Sequence, residues 1–162
     1  MSDGLGSDGP GSDGLVEVRI LRIPVSLYRQ ASQHHEELRR EFALVASHAE
    51  GGHGSGVPAR LLSLIADLNA RFQAFTAEPQ QHLEAAAARD EETIDLTYRV
   101  PPEVGPAAAE FDALLDEADD YCRAGETLLT LATPAPALAF RRWFLGEFVR
   151  QAAGEPPRPW TA

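Results

Sequence analysis

Residues 33–42, QHHEELRREF, set two histidines, three glutamates and two arginines within ten positions. A helical metal site needs ligands that project to one side, as in Glu-x-x-His, or a histidine followed four positions on by histidine or a carboxylate. Here His34 is followed at that distance by Leu38 and His35 by Arg39, while Glu36 and Arg40 have the spacing of an ordinary helix ion pair. The run reads as a solvated helix face. His35 differs from its neighbours because it falls on the apolar stripe of that helix, where an imidazole titrating near neutrality can act as a pH switch. The plainer alternative is a core-edge histidine bonded to backbone or to a carboxylate.

Other reactive groups lack the neighbours that chemistry requires. Glu50 and His53 have the Glu-x-x-His spacing, but in EGGHGSG the glycines remove the helix that would align them. The same segment has neither the Walker lysine nor the Ser or Thr after it, so it does not read as a phosphate cradle. Cys122 is the only thiol, and Asp119 and Asp120 beside it are expected to keep it protonated. No serine or threonine has a nucleophile-elbow context.

Between residues 103 and 120 stand Glu103, Glu110, Asp112, Asp116, Glu117, Asp119 and Asp120, with no base among them. Hard cations take carboxylate oxygens, so Asp116, Glu117 and Asp120 are the candidate ligands of a magnesium-dependent all-α hydrolase of a phosphorylated small molecule. Glu117-x-x-Asp120 resembles half of the signature of all-α nucleotide pyrophosphatases of the MazG type, and DEADD resembles the aspartate-rich motif of isoprenoid synthases. The companion Glu-x-x-Glu and the second synthase motif are both missing. A solvated acidic face is the preferred reading, with no metal and no cofactor expected.

The most informative segment is AFRRWFLGEFVRQ, residues 139 to 151. On a helix, Phe140, Trp143 and Phe144 cover one sector and Leu145, Phe148 and Val149 the next, an apolar arc wider than one packing face needs. Either neighbours bury it from two sides or it is a contact surface. Aromatic residues and arginine dominate interface hot spots, so Phe140, Arg141, Arg142, Trp143, Phe144, Phe148 and Arg150 are the candidate interaction residues.

These groups must be placed by the elements around them. The 162 residues, 44% of them hydrophobic, fit one domain, expected over residues 15–153. Residues 1–14 repeat Ser, Asp and Gly with too little apolar surface to offset ordering, and read as a disordered tail. Residues 154–162 form a Pro-rich C-terminal tail whose Trp160 is able to dock back onto the body. VEVRILRI and TIDLTYRV alternate and are β-branched, which predicts strands over 16–23 and 93–100. Apolar spacing predicts helices over 25–49, from Pro58 onward with a break or kink at Pro79, from Pro101 to about 123, and over 135–152.

The two halves match. LRIP at 21–24 corresponds to YRVP at 98–101, and VPARLLSLIADL to TPAPALAFRRWF, with offsets of 76 to 77 positions. The expected fold class is α+β, predominantly α-helical: two strand–helix–helix units, about 15–90 and 92–152, in a pseudo-twofold repeat with a small two-stranded sheet. Such a sheet needs helices on one face or another chain on its edge, so a homodimer through that edge is one expectation.

A net charge of −11, with no lysine and 14 arginines, leaves no basic surface for phosphates, so nucleic acid and anionic membrane are not expected partners. The chain has no basic-then-apolar leader and no apolar stretch of spanning length, and a lone cysteine agrees with a reducing compartment, so a cytoplasmic location is expected.

LRIP, YRQASQHHEELRREFAL, the YRVP strand and FRRWFLGEFVRQ together resemble a group of small, functionally uncharacterised actinobacterial helical proteins. That group is associated with genes for partner-switching regulators: anti-sigma-factor kinases, STAS-domain antagonists and their phosphatases. The resemblance covers roughly residues 15–151 and implies a non-enzymatic regulatory or scaffold protein that acts through protein contacts. It carries no catalytic residues over. The alternatives from the residues are the magnesium-dependent hydrolase and a ligand-sensing domain with a pocket between the two halves.

Overall fold

Strand β1 (Val16–Pro24) pairs antiparallel with β2 (Thr93–Val100), with Val16 opposite Val100 and Ile20 opposite Leu96. This is a computed structural model; it describes residues 14–48, 56–125 and 132–162. The Ser/Asp/Gly repeat over residues 1–13, and the glycine-rich segment with Glu50 and His53, lie outside the described residues. Helices α1 (Val25–His48) and α2 (Val57–Ala88) follow β1, and α3 (Val104–Ala124) and α4 (Ala135–Ala152) follow β2.

Alternation sets the two faces of the sheet. Val18, Ile20 and Ile23 of β1 and Leu96, Tyr98 and Val100 of β2 are buried, whereas Glu17, Arg19, Asp95, Thr97 and Arg99 are exposed. β1 holds one residue more than β2 between the pairs Ile20–Leu96 and Ile23–Ile94. In this bulge Arg22 takes φ 58°, and its N–H donates to Asp95 Oδ1 at 2.6 Å. A left-handed arginine costs about 1–2 kcal/mol, but without the extra residue strict alternation would turn Ile23 out to solvent. The strand runs one residue past the expected 16–23: Pro24 lies opposite Thr93, and the Val25 N–H donates to the Glu92 carbonyl at 3.1 Å.

Nor does Pro79 break α2, which runs through it for 32 residues. Proline removes one helical hydrogen bond, yet Pro79 itself and Leu83 and Ala86 beyond it are buried, so tertiary packing carries the helix across the gap. One apolar cluster joins the inner face of the sheet to Phe72 and Leu83 of α2, Val104 and Ala108 of α3, and Phe140 and Phe148 of α4. A second joins Leu38 and Phe42 of α1 to Leu61 of α2 and Leu114, Leu115 and Ala118 of α3. Leu145 touches both. The start of α3 crosses the end of α4 so closely that a Cβ on Gly105 would stand 2.9 Å from Ala152 Cβ.

The free edge of β1 is capped by its own chain. Gln151 Oε1 accepts from the Arg19 N–H and its Nε2 donates to the Arg19 carbonyl, both at 2.8 Å, so one side chain imitates a neighbouring strand. The Trp160 N–H donates to the Leu21 carbonyl at 3.0 Å. Two copies can pair through the β1 edge only after those groups leave. Gln151→Leu should lower stability by about 2 kcal/mol, because the Arg19 donor and acceptor lose their partner. Urea unfolding reads that loss, and sedimentation of the same variant reports whether the bared edge now pairs.

Candidate functional site

Asp112, Asp116 and Asp119 recur at intervals of four and three along α3, which puts them on one side of the helix facing α4. Arg141 of α4 reaches all three. Its Nε donates to Asp112 Oδ1 and its Nη1 to Asp119 Oδ2, both at 3.0 Å, and its Nη2 pairs with Asp116. Arg142 stands 3.4 Å from Asp116. The Arg141 side chain keeps 10% exposure and that of Asp119 only 4%. Asp119 Oδ1 also accepts from both the N–H and the hydroxyl of Thr133, at 2.7 Å. Burial pushes the Asp119 carboxyl up, but these Thr133 bonds together with Arg141 outweigh it and hold the group below its ordinary value.

The network continues into α1. Thr133 Oγ1 lies 3.2 Å from His34 Nε2. A threonine hydroxyl has one hydrogen, and here it goes to Asp119, so His34 Nε2 carries the proton that bonds Thr133. His34, Thr133, Asp119 and Arg141 thus join α1, α3 and α4 in one polar chain.

That chain forms part of the wall of a cleft of about 440 Å³. Tyr28, Ala31, His35 and Leu38 of α1 face it because they share one helical stripe. Phe111 and Leu115 come from α3, and Ala137, Phe140, Phe144 and Leu145 from α4. Gln80 and Glu84 of α2 complete the lining, with Gln80 Nε2 donating to the Tyr28 hydroxyl. The His35 ring stands edge-on to Phe111 at 6.0 Å and has no hydrogen-bond partner among the described residues. Burial holds its pKa below 6.5, with Glu36 opposing the shift and Arg39 and His34 adding to it. Burial thus favours the neutral ring, which has one donor and one acceptor nitrogen.

Several expected roles change. Phe140 and Phe148 lie in the core and are not available to a partner. Trp143 is half-buried, because the C-terminal residues fold back: its Nε1 donates to the Arg158 carbonyl at 2.9 Å, and Trp160 meets it edge-to-face at 5.3 Å. Phe144 turns into the cleft. Arg150 pairs with the fully buried Glu147, whose Oε2 accepts from Gln151 at 2.7 Å and from the Arg158 N–H at 3.0 Å. Of the arginines assigned to an interaction surface, Arg142 alone is exposed. The chain itself covers most of the wide apolar arc.

The acidic residues are likewise engaged. Asp116 faces Arg141 and Arg142, Glu117 takes both ends of the Arg60 fork at 2.8 and 3.4 Å, and Asp120 pairs with Arg123 at 2.6 Å. Three carboxylates turned to different arginines do not converge on a cation. Among the described residues, no group of three or more His, Cys, Asp or Glu is arranged to hold a metal ion. Glu36 pairs with Arg39 at 2.9 Å, not with Arg40. Burial, then Asp119 and Glu41, pushes the Cys122 thiol up to about 11, so it is a poor nucleophile at neutral pH.

Thr133, Gln80, Glu147 and Gln151 carry no signal in sequence spacing. Each matters through a partner far along the chain or a bond to backbone. No helix among the described residues is long and apolar enough to cross a membrane. No protein-family model, curated protein or solved structure matches the chain.

Proposed function

We propose that this is a ligand-sensing domain that binds a small molecule in the cleft between α1, α3 and α4. The observation that carries it is the lining: about 440 Å³ walled by apolar and aromatic side chains, with a few polar groups converging from His34, His35, Thr133 and Gln80. Small-molecule sites have this size and this balance, since apolar area supplies affinity and sparse polar groups orient the ligand. A protein-contact role resting on the α4 rings is less well supported, because those rings lie in the core, in the cleft or under the C-terminal residues.

The resemblance to proteins associated with partner-switching regulators is the reason to read binding as a signal and not as the start of a reaction. On this reading the ligand state alters contact with a regulatory protein in the cytoplasm. The order strand–helix–helix, repeated once, and antiparallel pairing of the two strands support descent from a duplicated unit. The cleft then lies where the helices of the two units meet.

Ala31→Trp tests the site, because an indole at the cleft wall takes up the volume a ligand needs. Compounds that raise the melting temperature of the wild type by several degrees should leave this variant unmoved. Equal stabilisation of both proteins would place binding elsewhere and remove the reading. Retention of the same compounds on the wild type alone, after gel filtration, is the direct check.

A further inference from the structure

Resting on that ligand-binding reading, we propose that the cleft selects a monocationic amine carrying an apolar or aromatic body, and discriminates against carboxylates of the same shape. The first ground is the state of the one guanidinium in the wall. Arg141 has its Nε and both terminal nitrogens on Asp112, Asp116 and Asp119, so its fork is not open to an incoming anion. Those three carboxylates outnumber Arg141 and Arg142 together.

The second ground is what else faces the space. Glu36 and Glu84 both line the cleft and both are exposed. Glu36 shares its charge with Arg39, but among the described residues Glu84 accepts only an amide hydrogen bond from Gln80 at 3.3 Å. An ammonium group at that position gains a carboxylate; a ligand carboxylate meets like charge. Tyr28, Phe111, Phe140 and Phe144 line the same space, and aromatic rings attract a cation and take an aromatic body. Burial disfavours an opposing positive charge on His35. At longer range, the net charge of −11 steers cations toward the protein and repels anions.

Phenethylamine, phenethyl alcohol and hydrocinnamate share one body and differ in charge, which isolates the effect. Titration calorimetry on the full chain at low salt should show the amine binding about tenfold tighter than the alcohol, with the acid weakest. Glu84→Gln should remove most of the amine's advantage over the alcohol. Raising the salt should weaken the amine alone. If all three bind equally and Ala31→Trp blocks all three, the cleft is a binding site but the charge selection is wrong. If the acid binds best, the proposal is overturned outright. Absence of binding by any of the three overturns it as well, and the Ala31→Trp comparison on other compounds then judges the ligand-binding reading separately.

Discussion

Arg141→Leu is expected to lower the free energy of unfolding by about 3–5 kcal/mol at pH 7, because it leaves a buried carboxylate without its counter-charge. The three partners do not contribute equally. Asp112 and Asp116 keep 29% and 44% side-chain exposure and can rehydrate once the guanidinium is gone, whereas Asp119, at 4%, cannot. Most of the loss should therefore trace to Asp119. Acid separates this account from simple loss of packing. In the wild type the folded-state pKa of Asp119 lies below its ordinary value near 3.8, so its stabilising contribution is complete above that value and fades as pH falls through the folded-state pKa. In the variant the Thr133 bonds still hold the carboxyl down but Arg141 no longer adds to them, so Asp119 accepts a proton at higher pH than in the wild type and part of the penalty is relieved. The gap between the two proteins should narrow in urea unfolding as pH falls through the ordinary carboxyl value near 3.8. A gap that stays constant with pH would show that Arg141 acts through its aliphatic stem and not its charge.

Deleting residues 155–162 is expected to cost about 3 kcal/mol, by loss of the Trp160 ring and of the hydrogen bonds around it. The segment has no regular structure, yet it is tied down at several points. The Arg158 N–H serves Glu147, the Arg158 carbonyl serves Trp143, and the Trp160 N–H serves Leu21. The Trp160 ring lies 5.3 Å from Trp143 and 6.1 Å from Phe140. The chain holds two tryptophans, so the truncated protein reports on Trp143 alone. Its emission should move to longer wavelength and become open to acrylamide. Unchanged emission from a folded truncated protein would mean that something other than this segment covers α4.

The same tail shows what spacing leaves open on the surface of α4. The count of apolar positions on the helix was right, and the arc is as wide as it reads. What covers it comes from residues 155–160, which are rich in proline and have no periodicity to announce a packing role. Glu147 and Gln151 fall on that helix as ordinary polar residues, one turn apart. Only the arrival of β1 and of Arg158 gives Gln151 and Glu147 their distant partners. The acidic residues of α3 follow the same rule. Their spacing places Asp112, Asp116 and Asp119 on one side, but whether that side meets magnesium, water or an arginine depends on which helix lies opposite.

Taken alone, the order of residues determined the helices, the two strands and the face of each that turns inward. Backbone geometry imposes periods of about 3.6 and 2 residues, and apolar residues record those periods locally. For Cys122 only the Asp119 part of its raised thiol pKa was local, since burial, the larger cause, comes from tertiary packing. The tertiary structure alone decided the cleft, the capping of β1 and the engagement of Arg141. Thr133 meets His34 across 99 residues and Gln151 meets Arg19 across 132, and such pairings come from how packed helices cross, which no local repeat encodes.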